Sequence, residues 1–99
     1  MSESILEEAQ RITHGPRNQD YGHPLDDYNC TAELWTAILR KAGILKDGAA
    51  VTAEHAALCM IAVKMSRQLN RPKRDNAVDM AGYAWVLHEI TEERARREA

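Results

Sequence analysis

The sequence predicts an all-α protein, a four-helix bundle, and three observations support that fold class. Apolar residues recur at spacings of three and four along four separate segments, which is the period of an amphipathic helix. Each of these segments is bounded by residues that start or stop helices. No segment shows the alternation of polar and apolar residues that is typical of a β-strand. We therefore expect four helices around one core.

The first two helices are predicted from their ends. The first covers residues 3–13, with Ser2 as its N-cap and Gly15 in the turn that ends it. The second starts at Pro24, because proline is favoured at the first helical position, and it stops at Gly43. A polar loop joins them.

The third and fourth helices are predicted to form an antiparallel hairpin. Thr52 caps the third helix, which covers residues 53–69 and is apolar on nearly all sides. A helix of this kind is buried on more than one side. Asp75 is expected to cap the fourth helix, which extends to about residue 90, and the short connecting turn makes the two helices neighbours. The polar tail 91–99 is either a solvated helical end or a frayed terminus.

Composition limits the classes of protein that the chain can form. With 99 residues, 44% hydrophobic and 28% charged, we expect a single helical domain, 1–99, with its core in about 5–90. The third helix offers more apolar surface than one core covers, which predicts a homo-oligomer. The net charge of −2 argues against general nucleic-acid binding, and no apolar run is long enough to span a membrane, so a cytoplasmic location is expected. Cys30 and Cys59 are predicted to be buried free thiols.

Four charged residues interrupt the two most apolar helices at helical spacings. Lys64 and Arg67 share one helix face, and Asp75 and Asp79 share another. Charges on apolar helices are costly to bury unless they pair with each other, a metal or a ligand. The stretch is therefore either a structural ion-pair network, in which Arg67 or Lys64 pairs with the aspartates, or a site for an anion. The basic turn 71–74 is expected to be solvated, or else to attract an anion to the same end of the hairpin.

A loop between the first two helices is the second informative segment, and it carries Asp20, Tyr21, Gly22 and His23. A charge, an aromatic ring and a glycine together allow close backbone approach and stacking on a base. The alternative is a turn in which Tyr21 plugs the bundle and His23 is solvated. Tyr83 lies one turn beyond Asp79, so its hydroxyl is expected to hydrogen-bond that carboxylate or a ligand.

These residues fall in patterns that resemble a small phage and prophage family of unknown function. The patterns are Asp20-Tyr21-Gly22-x-Pro24, Ala32-x-x-Trp35, Lys64-x-x-Arg67 and Asp75-x-x-x-Asp79-x-x-Gly82-Tyr83. That family in turn resembles the nucleotide-modification-associated domains of phages. More distantly, it resembles the all-α nucleoside-triphosphate pyrophosphohydrolases of the MazG type, which hold Mg²⁺ beside a triphosphate with two pairs of acidic residues.

The resemblance implies a MazG-like bundle and a role for each candidate residue. Mg²⁺ would be held by residues from the set Asp75, Asp79, Asp27 and Glu54. Phosphates would be neutralised by Lys64 and Arg67, and the remaining ligand contacts would come from Tyr21, Asp20, His23 and Tyr83. The chain departs from the MazG pattern because its aspartates are four residues apart instead of three and no complete second acidic pair is evident.

The sequence therefore predicts a protein that binds a nucleotide or another phosphorylated small molecule. Its catalytic form would be a Mg²⁺-dependent nucleoside-triphosphate pyrophosphohydrolase acting in the cytoplasm of a phage host. Two alternatives stay open. One is a nucleotide-binding sponge that acts against host defence signalling without turnover, and the other is a structural or interaction protein whose ion pairs serve only the fold.

Overall fold

The computed structural model describes residues 2–15 and 22–99, and these form four α-helices with no strand among them. The helices are α1 (Ile5–His14), α2 (Pro24–Lys41), α3 (Ala53–Asn70) and α4 (Arg74–Glu98). The predicted all-α class is confirmed. The start of the second helix is confirmed at Pro24, and the third begins and ends within one residue of its predicted bounds.

The first helix begins two residues later than predicted. Ser4 is its N-cap: the Ser4 hydroxyl accepts a hydrogen bond from the Glu7 amide at 3.0 Å, and the Glu7 carboxylate accepts one from the Ser4 amide at 3.0 Å. This capping box needs, three positions beyond the cap, a side chain that accepts a hydrogen bond from the N-cap amide. Ser2 has Ile5 at that position, which explains why the N-cap is Ser4.

Of the two N-caps predicted for the hairpin helices, the one for α3 is correct and the one for α4 is wrong. Thr52 caps α3 as expected, since its hydroxyl accepts from the His55 amide at 3.2 Å. Asp75 does not cap α4, and that prediction is wrong: the helix begins at Arg74, its N-cap is Lys73, and Asp75 lies in the first turn. Asp75 still complements the helix dipole there. The polar tail continues α4 as a helix to Glu98.

Helix α4 is the central element of the bundle, since each of the other three helices packs against it. Its strongest partner is α3, which confirms the predicted antiparallel hairpin, and α2 contacts both. Among the described helices, α1 packs on α4 alone. The main buried cluster consists of Leu25, Tyr28, Ala53, Ala56, Ala57, Val86 and Ile90. The core-facing side of α3 is therefore made of small residues, and these allow a close approach between helices.

The opposite side of α3 faces away from this core. Leu58 is 50% exposed and Leu69 is 89% exposed. Two further predictions fail at these outer faces, because Cys30 on α2 and Cys59 on α3 are both exposed free thiols. The apolar character of a helix does not show which of its faces meets the core, and the two cysteines lie on the faces that do not.

A buried threonine ties α2 to the segment before α3. The Thr36 hydroxyl donates to the Ala32 carbonyl at 2.7 Å and accepts from the Val51 amide at 2.9 Å. Thr36 is 8% exposed, so water does not readily replace either bond. This pair of bonds fixes where the chain enters α3.

Substituting Thr36 by valine is expected to destabilise the protein by about 1–3 kcal/mol, because the Val51 amide then loses its acceptor in a partly buried position. Thr91→Val is the matched control: the Thr91 hydroxyl makes the same bond to a carbonyl four residues earlier, at 3.1 Å, but on an exposed surface. Urea unfolding of both variants measures the difference. Equal stabilities would show that Thr36 does not hold the α2–α3 segment.

Candidate functional site

An ion pair between α3 and α4 lies at the centre of the candidate site. The Nζ atom of Lys64 is 2.6 Å from Oδ2 of Asp79, and the two side chains are 13% and 29% exposed. A pair between these helices was expected, with either Arg67 or Lys64 as the cation. Lys64 makes it because it lies two turns beyond Ala57, on the face of α3 that meets the core, whereas Arg67 is exposed.

An open cleft carrying four cationic side chains surrounds the turn between α3 and α4. This basic cleft holds about 590 Å³ of space that is continuous with solvent, and it is lined by Lys64, Arg67, Asn70, Arg71, Lys73, Asp75 and Asn76. Within the described residues, the side chains of Arg67, Arg71 and Lys73 form no ion pair, although Asp75 is nearby. The cleft is therefore suited to an anion.

The turn that forms the basic cleft is fixed by a buried amide. Asn76 is 5% exposed, and its Nδ2 donates to Oε1 of Gln68 at 3.0 Å and to the Arg71 carbonyl at 3.4 Å. Gln68 also accepts from the Lys73 amide at 3.2 Å. The backbone that carries the cationic side chains is thus held by hydrogen bonds to residues of both helices.

A second pocket lies between α1, α2 and α4, with about 540 Å³ of space that opens to solvent. Its walls are largely apolar. Its carboxylate and aromatic lining, which defines the aromatic pocket, consists of Asp27, Tyr28, Asp79, Tyr83 and Trp85. Trp85 packs against His14, with ring centroids 4.3 Å apart. Gly82 allows α1 to approach closely, because a Cβ atom there would lie 3.2 Å from Cγ2 of Thr13.

The ion pair connects the two cavities. Lys64 lines the basic cleft, and its partner Asp79 lines the aromatic pocket. A cationic surface and a pocket with two carboxylates and three aromatic rings therefore lie on either side of one salt bridge. Neither cavity was predicted as such from the sequence, but the spacing of Lys64, Arg67 and Asp79 indicated their location.

The four predicted metal ligands lie in three places. Asp27 and Asp79 both line the aromatic pocket, whereas Asp75 lines the basic cleft. Glu54 lies ten residues before Lys64, about 15 Å along α3, and is held by Arg94 at 2.7 and 2.9 Å. In residues 2–15 and 22–99, no three acidic, histidine or cysteine side chains come close enough together to hold a metal ion.

The structure describes some of the predicted ligand-contacting residues and not others. Tyr83 lines the aromatic pocket with Asp79, as their spacing indicated. His23 is the N-cap of α2, where its Nδ1 accepts from the Leu25 amide at 3.0 Å, a role that sequence reasoning did not assign. Asp20 and Tyr21 lie outside the described residues. Of the basic turn, Arg71 and Lys73 join the cleft, whereas Arg74 leaves it and pairs with Glu8 at 2.7 Å.

The fold and the two cavities describe a small all-α protein in which a basic cleft lies beside an acidic, aromatic pocket. No helix among the described residues is long and apolar enough to cross a membrane. Residues 4–91 match the model of the family described as "Domain of unknown function (DUF6378)", and the chain belongs to that family.

Two curated phage proteins are similar to the chain. The "Gene 55 protein" of Mycobacterium phage D29 is 42% identical over 94 residues, which are 94% of this chain and 57% of that protein. The "Gene 55 protein" of Mycobacterium phage L5 is 39% identical over 88 residues, 88% of this chain and 52% of that protein. The chain thus spans about half the length of the curated relatives it matches. No solved structure matches it.

The Glu54–Arg94 pair predicts a pH dependence of stability. The hydrogen bond from Arg94 lowers the pKa of Glu54 below its ordinary value of 4.5. A lowered pKa means that the pair stabilises the fold above the ordinary value, and that this contribution is lost as the pH falls through the lowered pKa. Glu54→Gln is therefore expected to reduce stability at pH 7, with the difference from wild type shrinking below about pH 4.5.

Denaturant unfolding between pH 3 and pH 7 measures this dependence. Glu92→Gln is the matched control, since Glu92 is an exposed glutamate of α4 with no ion pair among the described residues. A Glu54→Gln deficit that persisted undiminished in acid would show that the contribution of Glu54 to stability does not come from its ionised carboxylate.

Proposed function

We propose that the protein binds a nucleotide or another phosphorylated small molecule that carries an aromatic group. Its phosphates would lie in the basic cleft, and its aromatic group would enter the aromatic pocket. The Lys64–Asp79 pair supports this proposal, because it places the two cavities side by side within the reach of one ligand. The resemblance to MazG-type enzymes, which act on nucleoside triphosphates, points to the same ligand class.

The chemistry of the basic cleft suits a phosphate. Arginine offers a planar fork that binds two phosphate oxygens at once, and lysine offers a compact charge. Arg67 and Arg71 are exposed and form no ion pair within the part of the chain that is described, so no internal contact has to break when an anion binds. Lys64 differs, because a phosphate would compete with Asp79 for its ammonium group.

Magnesium fits this proposal as an ion that enters with the ligand. Mg²⁺ is usually held by one or two carboxylates together with substrate phosphates. Asp27 and Asp79 supply two carboxylates in one pocket, and they are the residues that would hold it. Asp79 pairs with Lys64 of the basic cleft, so these carboxylates would meet the phosphates where the two cavities adjoin. Asp75 lies on the cleft side, and Glu54 is engaged by Arg94 away from both cavities. A bound Mg²⁺ would neutralise phosphate charge and polarise the phosphoryl group.

Pyrophosphohydrolysis is the catalytic form of this proposal, and a non-catalytic sponge in the host cytoplasm is its alternative. The observation that favours the sponge is the small acidic set, since the aromatic pocket contains two carboxylates and MazG-type enzymes use two pairs. Incubation with nucleoside triphosphates and Mg²⁺, followed by pyrophosphate detection, distinguishes the two. Tight binding without product would identify the sponge.

Arg67→Ala is expected to weaken nucleotide binding by tenfold or more, because a charged hydrogen bond contributes about 1.5–3 kcal/mol. Calorimetric titration with nucleoside mono-, di- and triphosphates, with and without Mg²⁺, provides the measurement. Lys41→Ala is the control, since Lys41, like Arg67, is an exposed cation in the last turn of its helix. No heat with any of these ligands would contradict the proposal and leave the structural interpretation of the ion pairs.

Asp27→Asn is expected to abolish the part of nucleotide binding that depends on Mg²⁺ while leaving the metal-independent part unchanged. The substitution removes one of two proposed metal ligands and leaves the Lys64–Asp79 pair intact. Asp47→Asn, in the exposed loop after α2, controls for the change in net charge. If Mg²⁺ strengthened binding to Asp27→Asn as much as to wild type, Asp27 would not be a metal ligand.

A further inference from the structure

The side of α3 that faces away from the core carries a continuous row of apolar residues. Leu58, Ala62, Met65 and Leu69 form this row, which we call the α3 seam. The three larger side chains of the α3 seam are 50%, 55% and 89% exposed, in chain order. Spacings of four, three and four are those of a helix that packs along a second helix. No described helix of the same chain covers them.

The chain also exposes more surface than a compact monomer of its size. Its accessible area is 6943 Å², whereas a folded monomer of 11.2 kDa is expected to expose about 5,700 Å². Its radius of gyration is 15.1 Å, compared with ~13 Å for a compact domain of this length. The excess area is of the order that each partner buries in a stable protein–protein interface, ~800 Å².

We infer that the occupant of the α3 seam is a second copy of this chain, which pairs with it through two antiparallel α3 helices. The spacing of four, three and four reads the same in both directions. An antiparallel copy therefore sets Leu58 against Leu69 of the second copy, and Ala62 against Met65 of the second copy. Each large residue then meets an apolar partner, and the smallest one faces the flexible methionine, in a two-fold interface of the kind that most dimers use.

The position of the seam is compatible with the candidate site. Lys64 faces α4 and pairs with Asp79, so the pairing of two α3 helices leaves the salt bridge in place. The apolar residues of the seam are also a poor match for a nucleic acid or a charged ligand. The dimer is measured without any ligand, so its test is independent of the proposed nucleotide binding.

A charge-exchange experiment tests both the dimer and its antiparallel register. Sedimentation equilibrium of wild type is expected to give twice the chain mass of 11.2 kDa. Leu58→Lys and Leu69→Glu are each expected to shift the protein toward the monomer, because each places a charge opposite a leucine. The double variant is expected to regain the dimer, because Lys at 58 then faces Glu at 69 of the second copy. Within one chain these positions are eleven residues, about 16 Å, apart along α3, too far to pair.

Leu6→Glu is the matched control for the single variants. Leu6 is 73% exposed on α1, a helix that contacts α4 and no other described helix, so this variant is expected to remain dimeric. Circular dichroism checks that each variant keeps its helices. A monomeric wild type, or a dimer that survives Leu69→Glu, would overturn the inference. Monomeric single variants with no recovery in the double variant would overturn the antiparallel pairing.

Discussion

Ala53, Ala56 and Ala57 are fully buried where α3 meets the rest of the bundle, in one cluster with Val86 and Ile90 of α4. Alanine side chains let two helices approach closely, and their burial costs almost no side-chain entropy. The face of α3 that carries these alanines is therefore its internal face. The position of the ion pair, the shape of the basic cleft and the exposure of the seam all follow from that choice of face.

The Lys64–Asp79 pair shows how the fold and the site share residues. Both side chains are partly buried, and separating them would leave a charge near the core without its partner, which is costly. Their contact also lies between the basic cleft and the aromatic pocket. A ligand that engaged Lys64 would therefore act on the contact between α3 and α4, which couples binding at this site to the stability of the hairpin.

The small internal face of α3 also has a consequence for assembly. A face made of alanines buries little apolar area per residue, so most of the larger side chains of this helix remain outside the core. The chain is correspondingly flat, 21 Å along its shortest axis. Pairing through a second copy would bury the side chains that the single chain leaves in water, at no cost to the internal packing.

The sequence by itself determined the helices, because hydrophobic period, caps and turn residues are local signals: Pro24 and Thr52 mark the starts of α2 and α3 as predicted. It also indicated the position of the candidate site through the spacing of charges on apolar helices. Only the tertiary structure decided that Lys64, and not Arg67, meets Asp79, and that Glu54 pairs with Arg94. Partner choice depends on the rotation of each helix against its neighbours, and a helical period gives the apolar faces without saying which one the core will cover.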